Sequence, residues 1–221
     1  MQNPRQVLLK PAAKAILFIT GIIPFAWLIY GIFTNNLGAN PTEYITRFTG
    51  DWTLRLLCLV LLVTPLRTIS KTPQLARFRR MLGLFVYFYA ALHLLAYSWF
   101  DMSFILTDII ADIPKRPFIL VGFAAFLLLT PLALTSFNKA IKTLGAKHWQ
   151  MLHKLVYVIA ILAVLHFFWM RAGKNNFTEV YVYAAILGSL LGWRVWNKFR
   201  TKSLSIEKMN EIIADSWAGK R

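Results

Sequence analysis

The chain has 221 residues, 57% of them hydrophobic and 15% aromatic, with 25 Lys and Arg against 9 Asp and Glu for a formal net charge of +16. A soluble domain of this length needs more polar surface, and the excess of bases matches the cytoplasmic loops of a membrane protein without invoking nucleic acid. The single cysteine, Cys58, lies in an apolar run, which excludes a disulfide within the chain and any multi-cysteine zinc or iron–sulfur site.

Residues 1–14 carry Arg5, Lys10 and Lys14 and read as a cytoplasmic N-terminal segment. The apolar run that follows has no small-residue cleavage pattern, so it reads as a retained span rather than a signal peptide. Further apolar runs of bilayer-crossing length predict spans at 15–34, 52–68, 81–100, 118–136, 151–170 and 179–197. The expected fold is an all-α membrane protein, a six-span transmembrane helix bundle over residues 15–200. The connections separate by charge. Arg67, Lys71, Arg77, Arg79 and Arg80 follow the second span, Lys139, Lys142 and Lys147 the fourth, and Arg194, Lys198, Arg200 and Lys202 close the sixth. The other three connections hold Glu43, Asp51, Asp101, Asp108, Asp112 and Glu179 with fewer bases. The positive-inside rule then places both termini in the cytoplasm. The tail, 201–221, is too polar to span. In it Ile206, Met209, Ile212 and Ile213 fall at helical spacing, consistent with a short amphipathic helix starting at Ser205 or with a loosely ordered tail.

A short internal repeat relates Leu61-Leu62-Val63-Thr64-Pro65-Leu66 in span two to Leu127-Leu128-Leu129-Thr130-Pro131-Leu132 in span four. Each copy precedes a basic connection and then a span with a histidine deep inside it. Two span pairs facing a shared site would use such a duplication.

Ionisable residues inside a span are costly and usually functional. His93 and His166 sit in Ala91-Leu92-His93-Leu94-Leu95 and Val164-Leu165-His166-Phe167-Phe168. Each lies about 13 residues, roughly 20 Å of helix, beyond the basic end of its span. Two parallel helices thus offer one imidazole each at matching depth in the outer half of the bilayer, as two axial ligands of a haem would be offered. A zinc or copper site would need a further ligand, for which Cys58 is the one residue near that depth.

His153 lies at the basic end of span five. On one unbroken helix it would stand about 140° from the face of His166. It is a candidate ligand at a different level, opposite Arg79 and Arg80 on span three. Alternatively, these three residues contact propionates, a flavin phosphate or a quinone oxygen. Arg55, four residues after Asp51, reads either as an i,i+4 ion pair or as a propionate partner.

Thr64-Pro65-Leu66-Arg67, Arg79-Arg80-Met81-Leu82-Gly83-Leu84, His93, Leu144-Gly145, the run from Trp149-Gln150-Met151-Leu152-His153 to Tyr157, and His166 occur in order and with spacing that resembles the MsrQ (YedZ) proteins. That family comprises haem-binding membrane subunits of bacterial protein-methionine-sulfoxide reductase systems, within the wider ferric-reductase-like transmembrane group. The resemblance implies a bacterial inner-membrane electron conduit. It would accept electrons from the quinone pool or a flavin reductase and pass them through haem b to a periplasmic molybdopterin reductase that repairs methionine sulfoxide. It also implies FMN, and haem iron ligands at His93, His153 and His166. Two-haem members of the wider group carry four histidines on these two spans; here Arg79 or Arg80 stands near the fourth position. No glycine-rich nucleotide loop follows a strand, so the electron donor is external. A free-standing ferric or cupric reductase, and a transporter moving protons or metal through membrane histidines, are the competing readings.

Overall fold

The computed structural model describes residues 8, 10–173 and 175–218, all helix or connection, with no strand among them. Helix α1 (Pro11–Phe33) and helix α2 (Pro41–Ile69) both begin on a proline, whose missing N–H costs nothing in the first turn. Asn40 caps α2, its side-chain oxygen accepting from the Glu43 N–H at 3.2 Å. A 3₁₀ turn (Pro73–Leu75) leads into α3 (Ala76–Ala96), which widens into a π turn at Tyr97–Asp101. A short α4 (Leu106–Asp112) precedes α5 (Pro117–Leu134), α6 (Asn138–Leu152), α7 (Leu155–Ala172) and α8 (Thr178–Ala218).

Among the described residues five segments are long and apolar enough to cross a bilayer: Pro11–Phe33, Pro41–Ile69, Pro73–Asp101, Pro117–Leu134 and Leu155–Ala172. The predicted sixth span falls within α8. That helix continues unbroken to Ala218, with no new start at Ser205; the side chains of residues 204–208 and 210–218 lie outside the described residues. Two boundaries differ instructively from expectation. The connection at 138–152 is helical and kinked at Gly145, whose φ of 74° suits a residue without Cβ. Span five begins at Leu155 rather than 151, because the chain turns at His153 and Lys154 between α6 and α7.

The two most extensive packings are α2 on α3 and α5 on α7, with α8 against α2 and α7, and α1 against α3. The core between them includes Leu57, Leu61, Val86 and Leu187, all almost fully buried. Two polar insertions lock the outer helices on. Pro65 has no N–H to give the Leu61 carbonyl, and the Arg194 guanidinium of α8 donates to that oxygen instead. The fully buried Tyr89 of α3 inserts into the ladder of α1 beside Pro24: its hydroxyl donates to the Gly21 carbonyl at 2.8 Å and accepts from the Phe25 N–H at 3.0 Å, bridging an i,i+4 pair. Removing that hydroxyl with Tyr89→Phe strands a donor and an acceptor in an apolar setting and is expected to cost about 1–3 kcal/mol. Thermal unfolding in detergent checks this. An unchanged midpoint would mean that α1 closes its own ladder without the tyrosine.

Candidate cofactor site between His93 and His166

His93 leaves α3 toward α2, and its ring contacts the helix backbone there. Its Nδ1 lies 2.8 Å from the Thr46 carbonyl oxygen and 3.4 Å from the Thr49 hydroxyl. A carbonyl can only accept, so Nδ1 carries the proton. The Thr49 hydroxyl already donates to the Ile45 carbonyl at 2.8 Å, which fits the same assignment. His166 of α7 repeats the device against α5, its Nδ1 donating to the Phe118 carbonyl at 2.6 Å. Both rings are therefore Nδ1–H tautomers with a free lone pair on Nε2. This is the arrangement by which an outer hydrogen bond orients a metal-binding imidazole.

The two ring centres are 6.0 Å apart and their planes stand at 83°. Two imidazole nitrogens bound to opposite sides of one metal ion at about 2.0–2.1 Å each would set the ring centres roughly 6 Å apart. The spacing of the pair would therefore let both histidines hold one ion. No group of three or more His, Cys, Asp or Glu among the described residues forms a metal-binding cluster. Cys58 does not line the space around the histidines, so it supplies no third ligand there.

That space is a cavity of about 620 Å³, in the usual range for cofactor sites. Its floor is Leu57, Val86, Leu129 and Ile159; its walls carry Phe123, Phe126 and Phe167. Toward the face built from the acidic connections it becomes charged, with Arg47, Arg116 and Arg171 alongside Glu43, Asp51 and Asp101. Arg116 is gripped by Asp112, its Nε donating to both carboxylate oxygens at 2.8 Å, and Asp112 also accepts from the Tyr97 hydroxyl at 2.7 Å. The Arg116 bond holds the Asp112 carboxyl below its ordinary range, so it stays ionised at neutral pH. Arg171 pairs with Glu179 and packs over the Phe167 ring, while its Nε is buried without a hydrogen-bond partner. An apolar slot with two imidazoles and a charged rim that carries three guanidinium groups suits a flat apolar macrocycle with acidic side chains.

The other expected site residues are elsewhere. Arg55 is exposed, donates to the Tyr183 hydroxyl at 3.3 Å and lies over the Trp52 ring; it does not line the cavity. Its guanidinium is turned toward Tyr183 of α8, and the Asp51 carboxylate acts on it through charge without a salt-bridge contact among the described residues. His153 sits at the turn before α7, its ring packed on Trp149 with centres 3.9 Å apart and its Nε2 3.3 Å from the Thr135 hydroxyl. Burial and the nearby Arg79 charge push its pKa down to about 4, so this imidazole is neutral. It engages its neighbour through Nε2, the atom the other two leave free. Arg80 donates to the Asn138 side-chain oxygen at 2.8 Å. His153, Arg79 and Arg80 line no part of the cavity. The 140° offset expected for His153 does not apply, since no single helix contains both histidines.

The sequence reading missed the two carbonyls, the glycines four residues after them, and Arg116 and Arg171. Backbone acceptors have no side-chain signature. A glycine inside an apolar helix does give a signal, because it costs about 1 kcal/mol relative to alanine and marks a close approach.

Residues 49–164 match the family model described as ferric reductase like transmembrane component. A relative from Polaromonas naphthalenivorans named protein-methionine-sulfoxide reductase heme-binding subunit MsrQ is 68% identical over 89% of this chain and 90% of its own. Proteins of the same name from Herminiimonas arsenicoxydans and Ralstonia nicotianae are 51% and 48% identical, over 86% and 84% of this chain and 87% and 85% of theirs.

Proposed function

The chain belongs to the MsrQ family, within the ferric-reductase-like transmembrane group, and from that premise we propose that it is a haem b electron-transfer subunit whose axial ligands are His93 and His166. The observation that carries the reading is the pair of facing imidazoles, each held by a carbonyl through Nδ1 with Nε2 free, their centres 6.0 Å apart. Haem b supplies one-electron chemistry when bound. The chain's own residues would hold it: Nε2 of each histidine would bind the iron, the apolar walls would exclude water, and Arg116 and Arg171 would take the propionates.

One haem is favoured over two. His153 spends Nε2 on Thr135, no second histidine faces it, and Leu61, Leu82 and Phe85, none of which lines the cavity, pack the bundle interior. The chain crosses a bacterial inner membrane six times with both termini cytoplasmic, which puts the arginine rim on the periplasmic side. The haem edge then faces a periplasmic molybdopterin methionine-sulfoxide reductase. Electrons enter from the quinone pool or a flavin reductase, with FMN as an intermediate carrier, at the face that holds His153, Arg79 and Arg80.

The test is a haem-to-protein ratio with reduced-minus-oxidised spectra on wild type and His153→Ala, haem being supplied during expression. The expected result is about one bis-histidine low-spin haem in both. Colourless wild-type protein would refute the haem reading and favour a transporter. Loss of half or more of the haem in His153→Ala would refute the single-haem assignment. With haem present, ferric chelate reduction in the absence of a periplasmic partner, at rates matching the partner-dependent turnover, would favour the free-standing reductase.

A further inference from the structure

We propose, on the haem reading above, that Gly50 and Gly122 are positioning residues for the axial histidines: each omits the one side chain that would stand between an imidazole and the carbonyl four residues earlier. On an α-helix, positions i and i+4 lie one above the other on the same face, so a ring reaching the carbonyl of Thr46 must pass over position 50. The same holds for Phe118 and position 122. A Cβ at 122 would stand 2.6 Å from His166 Nδ1 and 2.8 Å from Cε1, closer than real Cβ atoms approach anything. At 50 it would stand 3.1 Å from His93 Cε1 and 3.2 Å from Nδ1, tight enough to push the ring by a few tenths of an ångström. Gly83, in the same helix as His93, has nothing within 4 Å of an added Cβ. Two glycines on two different helix pairs therefore serve one geometry, and a third glycine nearby does not.

The device does more than make room. Because the ring lies on the helix backbone, the Nδ1–H···O bond fixes its rotation as well as its tautomer, and the two fixed rotations give the 83° angle between planes. A carbonyl accepting from Nδ1–H also makes Nε2 a stronger donor. A stronger donor favours the oxidised iron, so losing the seat should raise the reduction potential.

The experiment compares full-length wild type, Gly50→Ala, Gly122→Ala and Gly83→Ala, purified in detergent after expression with added haem. It reads the haem-to-protein ratio, the reduction potential and the ferric low-spin electron paramagnetic resonance signal. Near-perpendicular imidazoles give a strongly anisotropic signal with one large g value. Gly122→Ala is expected to weaken haem retention roughly 10–100-fold, the usual cost of losing an outer-shell partner, and to raise the potential of what remains. Gly50→Ala should keep most haem but show a raised potential and an altered g value. Gly83→Ala should match wild type. If Gly122→Ala keeps wild-type haem, potential and signal, the proposal is overturned. If that variant does not accumulate, Gly50→Ala decides: a shifted potential or signal supports the proposal, and wild-type values overturn it. Equal shifts in Gly83→Ala would also overturn it, by making the effect one of general helix packing. A wild type without haem would sink the haem reading itself, an outcome distinct from haem-bearing variants that behave normally.

Discussion

His93→Ala and His166→Ala are each expected to lose low-spin haem almost completely, by more than the roughly 10–100-fold that an outer-shell change costs a metal site. The rest of the fold should tolerate them. The carbonyls of Thr46 and Phe118 already lie inside α2 and α5, where the N–H groups of Gly50 and Gly122 bond them along the helix. The imidazole is a second donor to each oxygen, so its removal strands no carbonyl. This separates the haem reading from one in which the histidines merely satisfy the core. A core role predicts a loss of stability in haem-free protein with no spectral consequence. A ligand role predicts the reverse: near wild-type unfolding of the haem-free protein and a missing Soret band. Full haem retention with an unchanged low-spin spectrum in both variants would remove the pair from consideration.

The second large effect is expected at the cavity rim. Replacing Arg116 and Arg171 together by alanine should weaken haem retention by about 100-fold or more, since each charge-assisted hydrogen bond contributes about 1.5–3 kcal/mol and 1.4 kcal/mol is a factor of ten. The reduction potential should fall, because two positive charges that favour the electron-rich form are gone and Asp112 and Glu179 are left beside the site without them. That direction is opposite to the one expected when a histidine loses its carbonyl. Arg171→Lys should restore part of the charge effect and little of the binding, as an ammonium lacks the planar fork. Redox titration of the haem that each variant retains checks the sign. A double variant with wild-type retention and potential would show that the propionates lie elsewhere.

Much of this site was legible in the sequence because bilayer geometry is strict. A span has one rise per residue, so equal spacing from the basic ends placed His93 and His166 at one depth, and the rings do meet. The repeat in Thr64-Pro65 and Thr130-Pro131 likewise anticipated two helix pairs, and each pair does supply one histidine together with the carbonyl that holds it. Azimuth was less legible than depth. Arg55 has the right height for a propionate, yet its side chain turns to Tyr183, which only the packing of α8 on α2 decides. The phase expected for His153 presumes the helix of His166, which begins only after it, at Leu155. Its break follows from the helical 138–152 segment, whose basic composition and Gly145 read as loop. Arg194, a basic residue at a span end, gave no sign that it would replace the proton Pro65 lacks.

The two histidine seats belong to different helix pairs, and this has a thermodynamic consequence. A ligand that binds the folded protein alone stabilises it by mass action, about 2.7 kcal/mol at a hundredfold excess over the dissociation constant. Here that increment does not strengthen α2–α3 or α5–α7 internally, since each already buries its own interface. It falls on the seam between them, where a ligand bonded to one ring from each side acts as a cross-link. Cofactor insertion and closure of the bundle are then one linked equilibrium, and the seam is where the cofactor-free protein should open first on heating.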